Sequence, residues 1–198
     1  MKRMTRLTAL LLCLLLTVPA LCETAATETI PAFLTPAVFV ERFNATIPAL
    51  ADKFSDALGE EGVDLIKNNY VFTQKDPQNA LLYIGNGDWS LEAGFLYADA
   101  ASVDENTPAL VLNLNIKNDV PEVAAYFAKF TLQMMIEYDF QDEVSPEDLA
   151  NWFETAEDSA DIFTLPGYTL SVLKTDDHIQ YIVLPPAEKI PQLNDAQP

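Results

Sequence analysis

Strict alternation constrains this fold more than any other feature. From Trp89 to Tyr97, the apolar residues Trp89, Leu91, Ala93, Phe95 and Tyr97 alternate with Ser90, Glu92 and Gly94. Leu110, Leu112, Leu114 and Ile116 repeat the pattern against Asn113, Asn115 and Lys117. A period of two places every second side chain on one face, so each run reads as a strand with one buried and one wet face. Such a strand needs neighbours to pair with and a second layer to cover its apolar side.

The flanking segments supply both. Gly85-Asn86-Gly87-Asp88 is a tight-hairpin signal, because Asn-Gly accepts positive φ at both central positions. Asn69 to Thr73 and Ala80 to Ile84 read as strands around a loop at Asp76-Pro77, and an acidic loop from Asp99 to Asn106 precedes the Leu110 strand. Near the C-terminus, Tyr168, Leu170 and Val172 face Ile179, Tyr181 and Val183 across a turn at 175–177, and Pro185-Pro186 ends that hairpin.

Three segments carry helical spacing. Thr35 and Pro36 open the first, and Phe39, Phe43, Ile47, Leu50, Phe54 and Leu58 draw one apolar stripe along it. Pro48 predicts a kink or break near 44–47, and Gly59 a stop. Asp119-Val120-Pro121-Glu122 opens the longest helix, with Val123, Phe127, Phe130, Met134 and Tyr138 as its stripe and Leu132 and Met135 widening it. Ser145-Pro146-Glu147-Asp148 caps another, presenting Leu149, Trp152, Phe153 and Ala156. The order α-ββββ-αα-ββ, with strands and helices segregated, predicts an α+β fold: a single antiparallel sheet of about six strands with helices on one face. The other face would meet solvent or a partner.

The N-terminus reads differently. Lys2, Arg3 and Arg6 precede an apolar, leucine-rich run from Leu7 to Ala20, the pattern of a secretory signal peptide. The run is shorter than the roughly 20 residues a membrane-spanning helix needs, and no later segment qualifies. The expected organisation is a signal peptide at 1–22, a linker at 23–34, one α+β domain at 35–186 and a flexible C-terminal tail at 187–198. Cleavage after Cys22 gives a secreted protein; lipid attachment at Cys22 gives one held at the cell envelope. The chain has two cysteines, Cys13 and Cys22, so nothing beyond residue 22 can form a disulfide. A cysteine-free exported domain fits a bacterial envelope or medium, and its stability must come from a core supplied by 11 Phe, 7 Tyr and 2 Trp.

The formal charge is −19, and three of the 11 basic residues would leave with the signal. Such a charge repels nucleic acid and anionic lipid and favours basic partners or divalent cations. Catalytic kits are scarce. His178 is the single histidine, beside Asp176 and Asp177 at a turn, where it reads as an exposed turn residue or as a pH-responsive group. Gly-x-Ser-x-Gly is absent, and Gly85-Asn86-Gly87 lies between strands rather than before a helix. Oxygen ligands alone can hold calcium, and Asp99, Asp104, Glu105 and Asn106, with Ser102, form the candidate loop. A second acidic run, Glu154, Glu157, Asp158 and Asp161, ends a helix where negative charge opposes the dipole. The sequence therefore predicts a non-enzymatic exported domain that binds an extracellular protein or envelope component. A small carboxylate-dependent glycan hydrolase, with Trp89 or Trp152 as sugar platforms, and a calcium-binding envelope protein are the alternatives.

Overall fold

The computed structural model describes residues 30–186, except 70, 85–88, 100, 101 and 160. The signal segment with Cys22, the C-terminal tail and the Asn86-Gly87 turn lie outside the described residues. A 3-10 turn at Ala32–Leu34 leads into helices α1 (Pro36–Lys53) and α2 (Ser55–Asn69). Strands β1 (Phe72–Asp76), β2 (Asn79–Ile84), β3 (Trp89–Leu96) and β4 (Val111–Lys117) follow. Next come helices α3 (Glu122–Asp139) and α4 (Pro146–Ser159), then β5 (Phe163–Leu165), β6 (Tyr168–Lys174) and β7 (His178–Leu184). All seven strands form one antiparallel sheet in the order β1-β2-β3-β4-β7-β6-β5. None of the described helices is long and apolar enough to cross a membrane.

The register explains the alternation. Leu91, Ala93 and Phe95 pair with Ile116, Leu114 and Leu112, which pair in turn with Ile179, Tyr181 and Val183. These residues share the face that the helices cover, and most of them are fully buried. Asn115 stands between Glu92 and Gln180 on the opposite face, and all three are half-buried. The expected sheet is thus correct in kind and one strand short. The missing strand is β5, whose three residues are too few to show a period. Leu165-Pro166-Gly167-Tyr168 joins it to β6, with φ 70° at Gly167 and Leu165 paired to Tyr168. Proline followed by a positive-φ glycine marks a type II turn, a signal that was present in the sequence.

Helix α1 buries Phe39, Phe43, Ile47 and Leu50 as the stripe requires. Phe39 and Phe43 meet Phe72 edge-on at 5.6 and 4.4 Å, and Phe39 meets Phe95 edge-on at 5.6 Å. Of the kink or break expected near 44–47, a break does not occur, for α1 runs on through Pro48 to Lys53. Proline there removes one helical hydrogen bond, but Ile47 and Leu50, buried on either side, hold the segment in place. The chain does break at Gly59, with φ 68° and ψ 171°, a region that essentially only glycine occupies. A further helical stretch then continues to Asn69, where a strand was expected to start.

The end of the expected linker also proves to be core. Phe33 and Leu34 are fully buried. The Leu34 carbonyl accepts from Ala109 N at 2.8 Å, and Phe33 N donates to Asp139 Oδ2 at 3.1 Å. The other oxygen of Asp139 accepts from Arg42 Nη1 at 2.5 Å, so one carboxylate joins the entering chain, α1 and the end of α3. Asn44 pins the edge strand in the same way, donating to Phe72 O at 3.0 Å and accepting from Phe72 N at 2.8 Å.

Asp139→Ala should lower the unfolding free energy by about 2–3 kcal/mol, since it removes a charge-assisted bond and strands a backbone N–H. Asn44→Ala should cost about 1–2 kcal/mol through its two neutral bonds. Urea denaturation of each variant measures both.

Candidate functional site

The helices leave a cavity of about 600 Å³ over the β4–β7 end of the covered face. Ile116 and Ile179, paired directly across those strands, line it from the sheet. Phe54 and Leu58 line it from the α1–α2 junction, and Val123, Ala125, Tyr126 and Phe127 from α3. Its charged groups are Glu122 and Lys129 of α3 and Glu157 of α4.

The aromatic lining follows from where α1 stops. Phe54 is the non-helical residue that ends it, with φ −102° and ψ 16°. Its ring meets Tyr126 edge-on at 5.7 Å and lies tilted on Phe127 at 6.0 Å. Tyr126 stacks on Phe130 at 6.0 Å and keeps 42% of its surface exposed. The Lys53 ammonium sits 5.1 Å from the centre of the Phe130 ring and 5.9 Å from that of Phe54. This mouth is a partly exposed aromatic cluster that already holds one cation.

The polar end is built by the core. Tyr181 is fully buried in β7, with its ring 5.5 Å from Phe153 and 6.4 Å from Trp152. A buried phenol needs a partner. Its hydroxyl donates to Glu157 Oε1, which also accepts from Lys129 Nζ at 3.1 Å. Burial pushes the Glu157 carboxyl up, but the Tyr181 hydroxyl and the Lys129 ammonium outweigh it and hold the group below its usual range. Burial, and then the Glu157 carboxylate, raise the Tyr181 phenol far above its ordinary value. At neutral pH Glu157 is therefore a carboxylate and Tyr181 a neutral phenol.

The residues singled out from the sequence lie elsewhere. Asp104 Oδ1 accepts from Asn106 N and from the Thr107 hydroxyl, both at 2.9 Å, and these bonds shape the β3–β4 loop. The Thr107 hydroxyl and the Asn106 backbone hold the Asp104 carboxyl below its usual range. Glu105 contributes its carbonyl to Ala37 N at 2.9 Å, which ties the loop to the start of α1, and Asp99 is exposed. Tyr97 donates to the Pro77 carbonyl next to this loop; burial, with Asp104 and Asp76, pushes its phenol up to about 12. Among the described residues no group of three or more His, Cys, Asp or Glu could hold a metal ion.

His178 is half-buried rather than exposed, with Nδ1 3.1 Å from the Thr175 hydroxyl. Trp152 is buried and donates its Nε1–H to Asp161 O at 3.1 Å, so it is no sugar platform. The acidic run at the end of α4 now has an account. Glu157 meets Lys129 and Tyr181, and Asp158 meets Lys174 at 3.3 Å.

Tyr181→Phe should destabilise by about 1.5–3 kcal/mol, the value of a hydrogen bond to a charged group. Because the folded pKa of Glu157 is depressed, its stabilisation is complete above the unfolded glutamate pKa, about 4.3, and is lost as pH falls through the folded value. Urea denaturation should therefore show the gap between the natural protein and Glu157→Gln shrinking from pH 7 to pH 3. Comparison with known protein families, curated proteins and solved structures yields no match to this chain.

Proposed function

We propose that this protein is a non-enzymatic binding protein that works outside the cytoplasm, secreted or held at the cell envelope. Its binding site is the cleft over β4 and β7, which takes an envelope component or another extracellular molecule. The cleft itself carries this reading. At about 600 Å³ it falls within the range of small-ligand sites, and aliphatic and aromatic side chains dominate its lining, with a few charged groups among them. The location rests on the N-terminal sequence, where three basic residues precede the apolar run from Leu7 to Ala20.

The charged groups favour binding over hydrolysis. A glycoside-cleaving pair needs one carboxyl held protonated as the acid. Glu157 is shifted the other way, and its Oε1 already accepts from Lys129 and Tyr181.

An uncharged solvatochromic dye such as Nile red should bind saturably at one site with blue-shifted emission. Ala125→Phe and Leu58→Phe, which fill the cleft, should weaken it about tenfold or more while unfolding remains cooperative. Absence of saturable binding, or binding unchanged in both variants, overturns the assignment. Export is checked separately by terminal sequencing and mass analysis after expression in a bacterial host. Mature protein should begin at Glu23, or carry lipid on Cys22, and cytoplasmic retention of the uncleaved chain would refute it.

A further inference from the structure

We infer that the ligand of this cleft is an uncharged alcohol, a hydroxyl carried on an aliphatic body. The inference rests on the reading of the cleft as a ligand site and adds the chemistry of its occupant.

The charges at the cleft cancel. Glu122, Glu157 and Lys129 line it, and Lys53 stands at its mouth, its ammonium 5.9 Å from the centre of the Phe54 ring. Two carboxylates thus meet two ammonium groups. Glu157 and Lys129 are paired at 3.1 Å, each side chain about one-quarter exposed. Glu122 is exposed in the first turn of α3, where water and the positive end of the helix dipole both stabilise its charge. A charged ligand would give up its hydration here and find no unanswered counter-charge, whereas an uncharged one has far less hydration to lose. The rings offer a cation nothing more, because Lys53 already sits over Phe54 and Phe130.

The hydrogen-bonding capacity left over is the second argument, and it is independent of the first. Glu157 Oε1 accepts from Lys129 Nζ and from the Tyr181 hydroxyl, and Oε2 has no hydrogen-bond partner among the described residues. The Lys129 ammonium has three N–H groups and gives one of them to Glu157. The pair therefore presents an acceptor and donors side by side at the cleft wall. A hydroxyl both donates and accepts, so it matches the pair in full, while an ether or a ketone can use Lys129 alone. Ile116 and Ile179 on the sheet, with Leu58 and Val123 from the helices, give the rest of the molecule an aliphatic bed. A sugar would set most of its hydroxyls against these side chains without partners, at a cost for each.

Four probes that share one tail test this: hexanol, hexyl methyl ether, hexanoate and hexyltrimethylammonium. Each is titrated calorimetrically against the protein and against Glu157→Gln and Lys129→Met, with cooperative urea unfolding as the check that a variant is folded. Hexanol should bind about tenfold tighter than either ion and severalfold tighter than the ether. Glu157→Gln leaves the Lys129 ammonium unanswered and should shift the preference towards hexanoate. Lys129→Met leaves the Glu157 carboxylate unanswered and should shift it towards hexyltrimethylammonium. The preference of the natural protein decides by itself if a variant fails to fold. Either ion or the ether matching hexanol would overturn the alcohol assignment and leave the ligand site standing, as would an order of affinities unchanged in folded variants. Failure of all four probes to bind would remove both readings.

Discussion

The pairing of β4 with β7 holds this molecule together. On one side lies the meander β1-β2-β3-β4; on the other, β5-β6-β7 is built from the far edge inward. Both α3 and α4 lie in the chain between the two halves, so they can pack on a continuous surface only after the seam forms. Leu112, Leu114 and Ile116 meet Val183, Tyr181 and Ile179 across it, and the helices close over that row. Pairing so distant in sequence carries a loop-closure cost before any burial offsets it, which places it late in folding.

The seam also determines the chemistry of the cleft. Of the six residues in the helix-covered row of the seam, Tyr181 alone has a polar group, and a phenol at that depth must find an acceptor. Glu157 supplies it from α4, and burial of that carboxylate calls in turn for Lys129 from α3. The polar end of the cavity thus follows from a packing requirement, and a ligand would meet a charge arrangement that folding has already fixed. Tyr126 and Glu122 stand apart from this chain of necessity. Both are exposed, and neither satisfies a buried group.

Local period decided what could be read in advance. Strands β3 and β4 repeat long enough for a period of two to be unmistakable, and α1 and α3 do the same at helical spacing. Strand β5 has three residues, and Pro166-Gly167 was its one local sign. Helix α2 was hidden because Gly59 does break the helical course, as its type suggests, and a second helical stretch resumes directly beyond it. Phe33 and Leu34 follow small and polar residues, so their burial depends on Asp139 and Ala109, distant partners that no local window contains. The cleft was unreadable for the same reason. Lys129 and Tyr181 lie 28 and 24 residues from Glu157 and on different elements, and the acidic run around Glu157 was the only trace.

The distribution of charge connects stability to binding. With 11 basic residues against 30 acidic ones, there are too few cations to pair with most of the carboxylates. The scarce cations sit where elements meet: Arg42 with Asp139 between α1 and α3, Lys129 with Glu157 between α3 and α4, and Lys174 with Asp158 between β6 and α4. Lys67 with Asp52 joins α2 to α1. Exposed pairs of this kind contribute little each, so the partly buried ones, Arg42–Asp139 and Lys129–Glu157, carry most of the effect.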